Sequence, residues 1–133
     1  MLLNATQEDI DWFVGTVDNF GSIEIIRKNK NPTLILKFKT PYIDKLLAIC
    51  DALQYAGVPS GPKKPSGDSV QPQYELVFRG QNLAMIENIV VPRMRTGKRE
   101  VFAKRRAELR GMRKSLGLNG PQYFIEAAAE TAT

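Results

Sequence analysis

The first periodic stretch of the chain is helical. From Thr6 the apolar residues Ile10, Phe13, Val14 and Val17 recur at three- and four-residue spacing, which gathers them on one side of a helix. Thr6 can serve as N-cap, Asp9 stands where the acid of a capping box belongs, and Gly21 is a natural stop. The period then changes. Residues 22–27 and 33–39 are strand-like runs rich in Ile, Leu and Phe, and the Lys28-Asn29-Lys30-Asn31-Pro32 segment between them has the turn residues of a hairpin. In the second run Leu34, Leu36 and Phe38 share one face while Ile35, Lys37 and Lys39 share the other. This alternation predicts a sheet with one buried face and one basic, exposed face.

Thr40-Pro41 then offers an N-cap and a first-turn proline for a helix to about residue 56, with Ile43, Leu46, Leu47, Cys50 and Leu53 toward the core and Gly57 at its end. Residues 58–72 are crowded with Pro, Gly, Ser and Lys63-Lys64, which predicts a short irregular strand and a mobile loop. A firmer strand follows at 73–79, where Tyr74, Leu76 and Phe78 alternate with Gln73, Glu75, Val77 and Arg79. A short helix at about 81–90 is broken by Pro92. A long basic helix at about 98–116 then packs through Val101, Phe102, Leu109 and Met112, with its many cations mostly on a solvated face. The order helix, hairpin, helix, hairpin, helix, helix predicts an α+β domain over residues 1–117, with one four-stranded antiparallel sheet covered on one side by helices, followed by a partly ordered tail at 118–133.

Length and composition narrow the chemistry. At 133 residues and 43% hydrophobic, the chain suits one core, so any second functional half has to come from another copy. A net charge of +5 suits a polyanion partner without requiring one. The single cysteine, Cys50, sits in an apolar run and excludes an intrachain disulfide; it reads as a small buried hydrophobe in a reducing compartment. There is no histidine, so imidazole acid/base chemistry, Ser-His or Cys-His catalysis and a zinc site are excluded. Catalysis would need carboxylates, lysines or a carboxylate-held metal. No apolar run has the length of a membrane span and no secretory leader is evident, so the expectation is an intracellular, unexported chain with no membrane partner.

The stretch from Phe13 to Ile23, Phe13-Val14-Gly15-Thr16-Val17-Asp18-Asn19-Phe20-Gly21-Ser22-Ile23, preceded by Trp12, resembles the signature of the LAGLIDADG homing endonucleases. Gly15, Asp18 and Gly21 are its identities to the family name. The surrounding order supports the match: the signature helix runs into a hairpin, a helix, a second hairpin and a proline before the basic Gly97-Lys98-Arg99. The resemblance covers about residues 8 to 112. It implies the αββαββα fold with a saddle-shaped sheet over the DNA major groove, and a homodimer in which the signature helix meets its twin through Trp12, Gly15, Thr16, Asp18 and Asn19. A near-palindromic duplex site follows from that symmetry.

In this family the acid just before the last signature glycine holds a divalent metal against the scissile phosphate; that position is Phe20 here. A benzyl group has no oxygen for Mg²⁺, so the resemblance implies a DNA-binding protein that has lost its nuclease, acting as a regulator or an architectural factor, with no cofactor and Mg²⁺ only for a residual activity. Asp18 corresponds to the first signature acid, and Asp18 and Lys98 are the candidates for any residual chemistry. Lys98 or Arg99 also matches the basic residue at the start of the last large helix. The implied DNA contacts lie on the exposed strand positions: Glu24, Ile26 and Lys28 in the first strand, Lys30, Ile35, Lys37 and Lys39 in the second, and Lys63, Lys64, Gln73, Glu75 and Arg79 in the second hairpin. Lysines there neutralise phosphates, while Gln73, Glu75 and Arg79 can read base edges. Three alternatives stay open: an active endonuclease with a substitute oxygen ligand, intron RNA binding, and a plain dimeric scaffold.

Overall fold

The computed structural model describes residues 5–28, 31–63 and 71–117, with Lys28 described in its backbone only. Lys30, Lys64 with the rest of residues 64–70 in the expected 58–72 loop, and the 118–133 tail lie outside the described residues. The elements run α1 (Gln7–Phe20), β1 (Ser22–Lys28), β2 (Asn31–Thr40), α2 (Ile43–Leu53), β3 (Ser60–Lys63), β4 (Gln73–Phe78), α3 (Gly80–Val90), a 3₁₀ turn (Val91–Arg93) and α4 (Lys98–Ser115). The four strands form one antiparallel sheet in the order β1-β2-β4-β3, which is the α+β architecture that the periodicity predicts. Among the described residues no helix is long and apolar enough to cross a membrane.

Local chemistry explains most of the boundaries. The Thr6 Oγ1 accepts from the Asp9 N–H at 3.1 Å, and the Asp9 carboxylate accepts from the Thr6 N–H at 3.4 Å, so the predicted capping box starts α1. For α2 the structure departs from the expected cap. Thr40 belongs to β2 and its Oγ1 accepts from the Tyr42 N–H at 3.2 Å, so it organises the entry turn while Tyr42 occupies the cap without a side-chain bond. This helix also stops earlier than Gly57 would dictate. Gln54 takes a left-handed conformation and the Tyr55 N–H donates to the Cys50 carbonyl at 2.8 Å, closing off the last turn. Inside α2 the buried stripe is Leu46, Ile49, Cys50 and Leu53, while Leu47, expected in the core, is 46% exposed. Leu47 lies about 100° around the helix from Leu46, off the stripe that Ile49 completes.

The chain divides into two compact units. One comprises α1 with the segment Lys37–Val77; its core holds Phe13, Val17, Phe38, Leu46, Ile49, Leu53 and Leu76. Here α1 packs on α2, and the Phe38 ring meets Phe13 at 5.9 Å and the edge of Phe20 at 5.5 Å. The other comprises Ile23–Leu36 with the segment from Phe78 onward, and buries Leu34, Leu36, Phe78, Leu83, Ile86, Val90, Phe102 and Leu109.

Arg106, expected on the solvated face of α4, is instead buried in this second unit. Its guanidinium donates to both carboxylate oxygens of Glu87 on α3, at 2.6 and 3.2 Å. The side chains are only 7% and 18% exposed. Burial pushes the Glu87 carboxyl above its usual range, opposed by the bonds and charge of Arg106 and the charge of Arg110. Removing one partner of such a pair strands the other's charge in the interior. Glu87→Ala should therefore cost roughly 3–5 kcal/mol in urea unfolding, whereas Glu87→Leu combined with Arg106→Met should recover most of that loss. Equal losses for the single and the double variant would mean that packing, not the stranded charge, sets the cost.

Candidate nucleic-acid interface

Within the first unit, β2 and β4 bring polar side chains of one parity together. Lys39 and Lys63 flank Glu75, with ammonium to carboxylate distances of 4.0 and 3.5 Å. Lys63 and Lys39 are largely exposed, while the Glu75 side chain is 18% exposed between them. The β3 and β4 strands pair antiparallel with Ser60 opposite Glu75 and Lys63 opposite Gln73, and this register sets the cluster. Half-buried Lys37 stands two residues before Lys39 on β2, and half-buried Gln73 two residues before Glu75 on β4. The surface is therefore mixed in charge. Two mobile-headed cations lie around a carboxylate that can accept hydrogen bonds, next to an amide that can donate and accept.

In the second unit the predicted contacts are more dispersed. Glu24 and Ile26 are half-buried on β1, and Glu24 is already engaged in an interaction. Ile35 is 3% exposed and belongs to the core, contrary to its place on the predicted exposed face. Strict alternation fails there because Leu34, Ile35 and Leu36 are all buried, so both faces of this part of β2 are covered. Arg79 is exposed, but it lies past the end of β4 as the N-cap of α3 and does not continue the strand parity. At the start of α4, Lys98 is half-buried and engaged, and Arg99 is exposed.

The outward side of α1 forms a second feature in the first unit. A groove of about 880 Å³ is lined by Asp11, Trp12, Gly15, Thr16, Asn19 and Phe20 from α1 and by Asp44, Lys45 and Ala48 from α2. Trp12 is 46% exposed on it, and a Cβ built on Gly15 would meet nothing within 4 Å. Two polar groups of this face bond back to their own helix, the Thr16 hydroxyl donating to the Trp12 carbonyl at 2.9 Å and the Asn19 amide to the Gly15 carbonyl at 3.0 Å, while Asp11, Asp44 and Lys45 stand exposed along it. Such a face can be covered without stranding those donors. Asp18, expected beside them, does not line the groove; it is half-buried and has an interaction of its own. The identity of the back-bonding pair could be anticipated from Thr16 and Asn19 lying four residues after Trp12 and Gly15.

Phe20 is half-buried at the end of α1 with its ring against Phe38. It is an element of the unit's packing and offers no oxygen to a cation. Among the described residues no three of Asp, Glu, Cys and His come close enough to hold a metal ion.

No protein-family model matches the chain, and no curated protein matches it. Among solved structures the fold is similar to that of a homing endonuclease, I-TnaI, with a TM-score of 0.53 and 18% sequence identity, over 93% of this chain and 97% of that one. The shared architecture thus extends across nearly the whole of both chains. At this identity the likeness is one of fold.

The Phe20 ring makes a direct prediction for stability. Phe20→Ala should cost roughly 2 kcal/mol, about half the value for a fully buried Phe→Ala change, because only part of the ring is covered. Phe20→Leu should cost about 1 kcal/mol through the lost aromatic edge contact. Chemical denaturation measures both; losses below about 0.5 kcal/mol for both would remove Phe20 from the packing of α1.

Proposed function

We propose that the chain is a homodimeric, sequence-specific binder of double-stranded DNA, paired through α1 and without endonuclease activity. The observation that carries the reading is the Lys39, Glu75 and Lys63 cluster with Lys37 and Gln73 beside it, on a chain whose fold is that of a homing endonuclease. The lysines neutralise phosphates and hold the protein on the duplex. Glu75 accepts from a cytosine amino group, and Gln73 suits the donor and acceptor pair of an adenine edge. The Glu75 carboxylate repels phosphates, so its place between two cations makes more sense against a base than against the backbone.

One chain offers one such surface, and a twofold partner doubles it into a near-palindromic reader. The α1 groove supports the pairing. Trp12 supplies apolar area, Gly15 permits close approach of a second helix, and Thr16 and Asn19 are already bonded to their own helix, which leaves Asp11, Asp44 and Lys45 as the charged groups for a partner to meet. For catalysis the residues present do not fit Mg²⁺. Where the family resemblance places a metal-holding acid, Phe20 packs a hydrocarbon ring on Phe38. A transcriptional or architectural role follows from binding without cutting.

Selection of the purified protein on a random duplex pool, with Mg²⁺ then added to the enriched DNA, should yield a near-palindromic site that stays intact. Cleavage would restore the endonuclease reading. Enrichment only from a structured RNA pool would make the partner RNA, and no enrichment from either would leave a scaffold. Gly15→Ala separates the two roles of α1. With open space around Gly15, alanine should raise helix stability by about 1 kcal/mol in the single chain. In sedimentation it should nonetheless weaken self-association at least about tenfold, since 1.4 kcal/mol of lost contact suffices for that. Unaltered association would place the dimer contact elsewhere.

A further inference from the structure

The positive charge of this protein is concentrated on one helix. The 18 residues of α4 carry eight Lys and Arg against two Glu, whereas the remainder of the chain carries eleven Lys and Arg against twelve Asp and Glu. The charges outside α4 sum to −1, so α4 accounts for the whole excess of +5; the four strands carry five Lys and Arg against two Glu, half the net charge of α4 on more residues. Two of the eight cations are spent within the protein: Arg106 is buried on Glu87, and Arg105 pairs with Glu108 at 3.0 Å. Arg113 is half-buried and donates to Asn31 at 3.1 Å. Arg99, Lys104, Arg110 and Lys114 remain exposed, and among the described residues none of these four is in a salt bridge.

We propose that the outward face of α4 is a second nucleic-acid contact, a sequence-independent seat for the phosphate backbone of double-stranded DNA. The choice of DNA rests on the function proposed above; the position on α4 rests on the charge distribution alone. Several features fit this occupant. From Arg99 to Lys114 the helix rises about 22 Å, a length over which a duplex presents about 13 phosphates. Between the cations the exposed positions are mostly small, Ala103, Ala107 and Gly111, and nothing stands within 4 Å of a Cβ built on Gly111. Long cationic side chains can therefore reach past a low helix surface to either side of an approaching strand. The same face disfavours other polyanions. Within α4 no Trp, Phe or Leu is exposed to sink into a bilayer, because Phe102 and Leu109 point into the core, and the C-cap Leu116 is a single half-exposed side chain at its end. It has no aromatic ring on which an unpaired base could stack.

The division of labour is then between two surfaces. The sheet cluster engages the duplex only at the cognate site, where its lysines neutralise phosphates and Glu75 and Gln73 select sequence, whereas α4 supplies the affinity for any duplex and the salt dependence of non-cognate binding.

The test uses the full chain and fluorescence anisotropy on a labelled non-cognate duplex across a salt series. A triple variant Lys104→Gln, Arg110→Gln, Lys114→Gln is compared with Lys37→Gln, Lys39→Gln, Lys63→Gln, which removes the same net charge from the sheet. The α4 variant should lower the slope of log affinity against log salt by about 3, one for each lost phosphate contact, and weaken non-cognate binding at least about tenfold. It should keep its preference for the selected site over the non-cognate duplex. The sheet variant should lose that preference while its non-cognate slope changes by less than about 1. Equal slopes for the two variants would reduce the effect to net charge and overturn the proposal. An unchanged α4 variant would also overturn it, as would a loss confined to hairpin RNA or to anionic phosphatidylserine vesicles. If the triple variant fails to fold by circular dichroism, Lys104→Gln and Arg110→Gln alone should each lower the slope by about 1. Failure of site selection in the wild type, with the α4 slope effect intact, would count against the sequence-reading function and not against this surface.

Discussion

The Phe38 ring anchors the first unit. It takes a tilted contact from Phe13 and an edge contact from Phe20, so two rings one long helical interval apart on α1 grip a single ring on β2. This fixes the helix in rotation, and rotation decides what α1 presents outward. With Phe13, Val14 and Val17 committed to the interior, Trp12, Gly15, Thr16 and Asn19 form part of the groove. Phe20 sits at the junction of those two sets. The residue that takes the metal-holding place of the resemblance thus earns its keep as packing, and a carboxylate there would surrender an aromatic contact and stand against Phe38.

Much of the fold could be read from periodicity and caps. The Thr6 and Asp9 box, the switch to alternation after Gly21 and the breaking proline at 92 each have a local physical cause, and each local cause operates in the structure. The departures arise where a local signal competes with tertiary contact. Thr40 and Pro41 have the chemistry of a helix start, yet Thr40 is drawn into β2 and the helix begins later. Ile35 obeys the strand parity of an exposed residue but lies in an inner strand covered on both sides. Neither burial nor neighbouring strands can be inferred from one strand's alternation.

Arg106 illustrates the limit for charged residues. Along the sequence it is one of a run, Lys104-Arg105-Arg106, set apart by its spacing alone, four residues after Phe102 and three before Leu109 on the apolar stripe. Its partner is Glu87, nineteen residues earlier, and only the packing of α3 and α4 turns one member of the run into a buried strut. The Lys39, Glu75 and Lys63 cluster was legible in part: strand parity selects its members, but the register that puts Glu75 between two lysines is a property of the pairing. The same contrast separates total charge from its distribution. A net +5 is an unremarkable figure until the burial of Arg106 and the exposure of Arg99, Lys104, Arg110 and Lys114 show how much of it faces water, and where.

The division into units has a consequence for the way this chain can change. Its path runs from the first unit into the second within β1, returns to the first within β2, and enters the second again at the end of β4. No single cut releases either unit whole, and neither occupies a contiguous stretch that recombination could transplant. Insertion or exchange at any of the three crossings, each of which falls inside a strand, would sever a hydrogen-bonded ladder, so the two units are tied to a common inheritance by topology.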